Sequence, residues 1–373
     1  MQIAVYAIAK NEAKHVERWY QSVMDADSIH VLDTGSEDNT IQLLKNRGVS
    51  VTTAYLEPFR FDVARNMALN QVPEEYDYAM FLDMDEELEE NWREKLEETL
   101  SNSNATSVHF RMIFAEDEND EELLTYNREM VHVPKMYQWL YPAHEILIPK
   151  PAYEQQCIET FSDIKVYHRP DNDKPRDYRR LLELGVNLYP NDPRTHEYLA
   201  AEYLSLGSLN EAHNEYVKHI ELETHPYFRS ESYRNLAKCC EQMGDTQEAR
   251  DYFVASCAEA PDIRESWGYA AEFFFRMDMT LSCLGFLENM VTVPDDVKPS
   301  MTRREDFYRG WPNHMAALCY WKLGDIRRAK SAVLEAAEYG SNPNLLNDIL
   351  TIFEAEIETS ENSKAESDET ETG

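Results

Sequence analysis

Two carboxylates one residue apart close an apolar run: Tyr78-Ala79-Met80-Phe81-Leu82 leads straight into Asp83-Met84-Asp85-Glu86-Glu87-Leu88. Such a run reads as a buried strand, and both acids then emerge at its C-terminal end. Open α/β sheets bind their ligands at that end. Two carboxylates so placed suit a hard divalent cation, which keeps waters and takes a substrate phosphate as a further ligand. The spacing therefore favours chemistry on a metal-bound phosphorylated donor.

Two more strand ends carry polar residues. Ala7-Ile8-Ala9-Lys10-Asn11-Glu12 closes the first apolar run, and Val31-Leu32-Asp33-Thr34-Gly35-Ser36-Glu37-Asp38-Asn39-Thr40 closes the second. An acid at a strand end, then Gly and Ser, then a helix, forms a small loop able to hold a base or ribose. Asp38, taken alone, reads equally well as a helix N-cap. Phe59-Arg60-Phe61-Asp62-Val63-Ala64-Arg65-Asn66 puts Arg65 in the first turns of a helix, where a surface salt bridge is its ordinary role.

These loops need a scaffold, and residues 1–115 supply an alternating one. Apolar runs at Ile3–Ile8, Ser28–Leu32, Val49–Ala54 and Tyr78–Leu82 alternate with helical patterns at Glu12–Met24, Thr40–Asn46 and Asp62–Asn70. That order predicts a parallel sheet with helices on both faces. A helix over Trp92–Leu100 and a strand over Thr106–Phe114 follow, then shorter strand-like pieces to Pro151 and a last strand with a linker at Asp163–Asp173.

Beyond the linker nearly everything reads helical, and it repeats. Leu206-Gly207-Ser208-Leu209-Asn210-Glu211-Ala212 returns as Met243-Gly244-Asp245-Thr246-Gln247-Glu248-Ala249 and again as Leu323-Gly324-Asp325-Ile326-Arg327-Arg328-Ala329. Prolines at Pro190, Pro226, Pro261, Pro294 and Pro343 punctuate the copies, near the ~34-residue period of tetratricopeptide repeats. Gly turns one helix into the next and Ala lets the pair pack closely; the unit at Met277-Asp278 lacks its Gly. About four such units make a small solenoid with a concave face. The expected domains are 1–170 for the sheet, 171–353 for the repeats, and 354–373 for an acidic, Ser/Thr-rich disordered tail.

Composition narrows the partners. Of 373 residues, 36 are Lys or Arg and 70 are Asp or Glu, a net charge of -34 that argues against free nucleic acid. The charge is uneven, with acidic clusters at Asp83–Glu98, Glu116–Glu122 and after Glu354. Mean hydropathy is -0.62, and no apolar run approaches the ~20 residues of a membrane span. The start, MQIAVYAIAKNE, reads as a strand rather than a signal peptide, so a cytoplasmic location is expected. None of the six cysteines, Cys157, Cys239, Cys240, Cys257, Cys283 and Cys319, has zinc-site spacing, and reduced core thiols are the expectation.

Taken in order, KNE, DTGSxD, FxxARN and FLDxDEEL resemble the family 2 glycosyltransferases of GT-A fold, and most closely a bacterial branch that carries tetratricopeptide repeats. The resemblance implies an α/β Rossmann-like nucleotide-diphospho-sugar transferase domain followed by an all-α repeat domain. It implies an inverting enzyme that needs Mn2+ or Mg2+. The donor would be a UDP-sugar and the acceptor a hydroxyl or thiol on a protein, peptide or glycan, and a homodimer is possible. By position, Asp33 matches the acid that contacts base or ribose, and Ala9 the strand backbone lining the nucleotide pocket. Arg65 matches an Arg near the base and diphosphate, and Asp83 and Asp85 the DxD pair. Met84 departs from the usual small residue between them. Trp139-Leu140-Tyr141-Pro142-Ala143-His144-Glu145 resembles the branch's aromatic-x-Gly-x-VHE segment, with Pro142 and Ala143 departing from it. There His144 would be a third metal ligand or diphosphate contact and Glu145 the general base; a backbone-bonded histidine and a surface carboxylate are the plainer readings. Two other classes compete: a repeat scaffold with a vestigial transferase domain, and a nucleotidyl or sugar-phosphate enzyme on a similar sheet. The latter commonly has a Gly-rich phosphate loop, which Ala7–Glu12 lacks. Within the transferase class, a modified nucleobase is the alternative acceptor, and the acidic charge opposes it.

Overall fold

Hydrophobic alternation along the first strand decides the layering. In β1 (Ile3–Ala9), Ile3, Val5, Ala7 and Ala9 face one core, while Ala4 and Tyr6 face another. A strand whose two faces are both apolar must lie between two layers. The computed structural model describes residues 1–101, 103–116, 122–170, 178–294 and 304–339. The acidic tail and Pro343 lie outside the described residues, as does most of the Glu116–Glu122 cluster. The chain divides into two compact units, Met1–Leu188 and Tyr189–Gly373.

In the first unit, α1 (Val16–Val23), β2 (Ser28–Asp33), α2 (Thr40–Asn46), β3 (Ser50–Thr53), α3 (Phe61–Leu69) and β4 (Tyr78–Phe81) follow β1 in the alternation that the sequence predicts. The remaining elements are β5 (Glu86–Leu88), α4 (Trp92–Ser101), β6 (Ser107–Glu116), β7 (Glu122–His132), β8 (Tyr137–Leu140), β9 (Ile146–Pro149), β10 (Glu159–His168) and α5 (Arg179–Leu188). The sheet order is β3-β2-β1-β4-β7-β6-β10-β5.

The wholly parallel sheet expected from the alternation is corrected to a mixed one. β1 to β4 are mutually parallel, but β7 joins β4 antiparallel, β6 pairs β7 antiparallel, and β5 returns antiparallel to β10. The reason is local: after β6 the chain turns straight back into β7, with no crossover helix to reverse it. Trp19 of α1, Leu44 of α2 and Trp92 and Leu96 of α4 cover one face. Ala64 and Ala68 of α3, with Tyr137, Trp139 and Leu147 of the β8–β9 hairpin, cover the other.

The second unit is a run of helix pairs: α6 (Pro193–Ser205) with α7 (Leu209–Leu222), α8 (Pro226–Met243) with α9 (Thr246–Glu259), α10 (Arg264–Arg276) with α11 (Thr280–Thr292), and α12 (Trp311–Lys322) with α13 (Ile326–Glu338). Gly244 ends α8 at φ +87, and the next N–H, on Asp245, bonds back to the Cys240 carbonyl at 2.9 Å. That left-handed turn is why the repeat wants glycine. In the copy without it, Asp278 takes the same role at φ +59, and Met279 N–H reaches the Phe274 carbonyl at 2.9 Å. Its carboxylate meets Lys322 at 2.8 Å. Gly268 serves differently: a Cβ there would lie 2.3 Å from the buried Phe307 ring, so only glycine admits that approach.

Candidate functional site

The parallel half of the sheet ends together at Ala9, Asp33 and Leu82, and the polar loops cluster at that edge. Register pairs Ala9 with Asp33 on neighbouring strands. Asp33 is fully buried, and its own loop holds it: Oδ1 accepts from the N–H of Gly35 at 3.0 Å and of Ser36 at 2.8 Å, and Oδ2 from the Ser36 hydroxyl at 2.5 Å. Gly35, at φ +108, permits the turn. The Ala9 carbonyl accepts from Thr34 N–H at 2.9 Å.

The KNE and DTGSED loops are stitched to each other. Asn11 N–H donates to Ser36 Oγ at 2.8 Å, Glu37 N–H to Asn11 Oδ1 at 2.8 Å, and Glu12 N–H to Thr40 Oγ1 at 2.8 Å. Asp38 accepts from Ala13 N–H and from both Thr40 N–H and its hydroxyl. Its work is thus to tie the loops; the N-cap expected of it is corrected, since Asn39 holds that position at the start of α2. These bonds to the charged form outweigh burial and hold its carboxyl below the usual range.

Arg65 is buried, and the structure brings it together with Asp83 and Glu145. Its terminal nitrogens donate to the two oxygens of Asp83 at 3.2 and 3.3 Å, and its Nε donates to Glu145 Oε1. Its Cζ stacks 3.7 Å from the centre of the Phe81 ring. Burial alone would weaken its charge, but Asp83 and Glu145 more than offset that. The surface salt bridge considered for Arg65 is corrected to a part-buried one, with the guanidinium itself buried. The same helix docks the Trp139–Glu145 segment. Asn66 holds the Trp139 backbone at both ends, at 2.8 and 2.9 Å, and Phe61 N–H donates to the Pro142 carbonyl at 3.0 Å. Counting along the aromatic-x-Gly-x-VHE pattern puts Tyr141 at its glycine, and Tyr141 takes φ +76, the region glycine favours.

Asp83, Met84 and Asp85 form the turn from β4 into β5, closed by Glu86 N–H on the Asp83 carbonyl at 3.0 Å. Glu86, which the sequence left without a role, is buried beneath that turn. It accepts from Asp83 N–H at 3.0 Å and from Arg128 at 2.6 Å. Burial raises its carboxyl above the usual range despite Arg128. Asp85 points elsewhere: its Oδ2 lies 3.5 Å from Nε2 of His168, at the end of β10. Burial pushes the Asp85 carboxyl up, but the His168 hydrogen bond and charge bring it below the ordinary value.

His168 was missed because it stands alone in sequence, 83 residues past Asp85, and only the β10–β5 pairing brings it back. His144 is exposed at φ +51, with its ring 5.5 Å from that of Tyr178. The donor set at the turn fits a divalent cation. The Asp85 carboxylate and the His168 imidazole lie 3.5 Å apart, near enough to turn toward one ion, and Arg65 orients the Asp83 carboxylate of the same turn.

Beside this turn opens a cleft of about 550 Å³ lined by Lys14, His15, Arg18, His168, Arg169 and Pro170. In so acidic a chain three full cations on one cleft make a local anion-attracting field. Glu87 tempers it, 3.8 Å from Arg18 and 3.9 Å from Arg169.

Residues 5–153 match the family model of glycosyl transferase family 2, and residues 230–263 match a tetratricopeptide repeat. The chain thus carries a family 2 glycosyl transferase domain followed by a repeat region of that kind, which supports a nucleotide-sugar glycosyltransferase. Solved structures similar to it are repeat proteins. MamA is 17% identical over 43% of this chain and 85% of its own, with a TM-score of 0.36. YrrB, described as a TPR protein with an unusual peptide-binding site, is 9% identical over 46% and 81%, at 0.37. Pseudomonas aeruginosa pilF is 11% identical over 46% and 72%, at 0.36. Among the described residues no helix is long and apolar enough to cross a membrane.

Proposed function

We propose that the first unit is a metal-dependent, inverting glycosyltransferase. It moves a sugar from a nucleotide-diphosphate donor, a UDP-sugar, to an acceptor hydroxyl or thiol on a protein, peptide or glycan. The observation that carries this reading is the Asp83–Asp85 turn at the C-terminal edge of the parallel strands, braced by Arg65 and flanked by the cationic cleft.

Each residue has a share in that reading. The Asp33 loop and the Ala9 backbone border the nucleoside, with Asp33 acting mainly by fixing the loop's shape. Lys14, Arg18 and Arg169 attract the diphosphate. Asp85 would hold Mn2+ or Mg2+ together with Asp83 and a histidine: His144, by its place in the motif, or His168, whose Nε2 lies 3.5 Å from Asp85 Oδ2. When bound, the ion neutralises charge on the departing diphosphate. Glu145, anchored through Oε1 to Arg65, takes the proton of the acceptor on Oε2. Attack from the opposite face of the sugar then inverts the anomeric centre without a covalent enzyme intermediate. The helical repeats recognise the acceptor, through the concave face that stacked pairs create.

The test is a thermal-shift and hydrolysis screen of nucleotide-sugars with and without Mn2+. One donor should give a metal-dependent shift and slow release of its nucleotide, both lost in Asp85→Ala. Turnover by that variant at the wild-type rate would sink the assignment.

A further inference from the structure

Outside the sheet unit, three side chains from three successive helices converge: His213 of α7, Cys240 of α8 and Glu248 of α9. Each offers one ligand atom, and the three atoms all lie within 4.8 Å of one another. His213 Nε2 and Glu248 Oε1 are 3.7 Å apart. Bonds of about 2.0–2.3 Å around a tetrahedral zinc ion imply ligand separations of about 3.3–3.8 Å. We propose that these residues form a zinc site with a water as fourth ligand, clamping two consecutive helix pairs of the repeat unit.

The donor chemistry selects the ion. One thiolate, one imidazole and one carboxylate make a borderline-soft set, which suits Zn2+ rather than Mg2+ or Ca2+. Burial grades the site from inside to outside. Cys240 is fully buried, whereas the His213 and Glu248 side chains are 23% and 42% exposed, so solvent reaches the open side and supplies the fourth ligand. The carboxylate is also oriented from behind: the Tyr252 hydroxyl donates to Glu248 Oε1 at 3.0 Å, the kind of outer hydrogen bond that steers a ligating acid. Asp245 caps the helix that presents Glu248 by accepting its N–H at 3.0 Å. Binding forms the zinc–sulfur bond and releases the thiol proton to solvent, so affinity falls as pH falls.

Cobalt(II) added to the metal-free full chain is the probe, because only a cysteine site gives a thiolate-to-cobalt charge-transfer band; a carboxylate and imidazole site in the sheet unit does not. The expected result is a band saturating at one Co2+ per chain, displaced by Zn2+ and accompanied by a rise in Tm. It should vanish in Cys240→Ser and persist in Cys239→Ser, whose thiol belongs to a different core cluster. His213→Gln and Glu248→Gln, both at the exposed rim, should weaken Zn2+ binding at least tenfold with unchanged far-ultraviolet circular dichroism, which keeps the test decisive if Cys240→Ser does not fold. No band in the wild type, a band surviving in Cys240→Ser, or wild-type affinity in both rim variants would overturn the site.

Discussion

Arg65 grips both oxygens of Asp83, at 3.2 and 3.3 Å, from a position where its own guanidinium is stacked on Phe81. The fork fixes the direction of the Asp83 carboxylate. It also neutralises two acids, Asp83 and Glu145, that would otherwise repel each other at the end of the sheet.

Arg65→Ala leaves those two carboxylates facing each other without a cation. Breaking a buried pair from one side costs about 3–5 kcal/mol. Denaturant unfolding should show a loss of that order, with turnover abolished. Arg65→Lys keeps the charge and loses the fork; it should recover most of the stability and little of the activity. Equal recovery of both would mean that the fork's geometry is unimportant.

His168→Ala should weaken the apparent Mn2+ dependence of donor turnover by about tenfold or more, on the scale of metal-site partners. His144→Ala should leave that dependence near wild type. A metal titration of turnover separates the two histidines.

Exchanging charge in the cleft should act on binding before chemistry. Lys14→Glu and Arg18→Glu should raise the donor KM with little change in kcat, and the penalty should shrink at 0.5 M salt as screening grows. Uniform loss of kcat at both salt concentrations would place these residues elsewhere in the mechanism.

Gly268→Ala drives a methyl against the Phe307 ring. Overpacking of this kind costs about 1–3 kcal/mol. Gly268→Ala combined with Phe307→Leu should destabilise by less than the two single changes added together. Additivity in a double-mutant cycle would show that the two positions do not share the strain.

Glu197 in the repeat unit has its carboxyl raised to about 7, first by burial and then by Glu231. The folded state therefore binds a proton more tightly than the unfolded one, and this group's contribution to stability falls as pH rises from the ordinary carboxyl range through 7. Glu197→Gln removes that loss. The variant should match wild type near pH 4 and exceed it by up to about 3 kcal/mol above pH 8. Equal pH profiles for the two proteins would contradict the shift.

Local signals were enough for much of this molecule. Apolar runs ending in Asp33 and Asp83, turn glycines at Gly35 and Gly244, and the repeated Gly-x-x-x-x-Ala turn depend on near neighbours, so β1 to β4, their helices and the helix pairs were legible from residue order. The acids at strand ends were legible for the same reason, since a parallel strand delivers its last residues to one edge. What the chain order could not carry is pairing between distant segments. The antiparallel entry of β7 and β5, the burial of Glu86 under Arg128, the Arg65 bridge to Glu145 and the seat of His168 beside Asp85 all join residues far apart in sequence. The meeting of His213, Cys240 and Glu248 is of the same kind. Sequence specified which residues could do chemistry and at which strand ends they emerge. Tertiary packing alone decided which of them touch, because hydrogen bonds and ion pairs depend on distances that only the assembled sheet and stacked helices set.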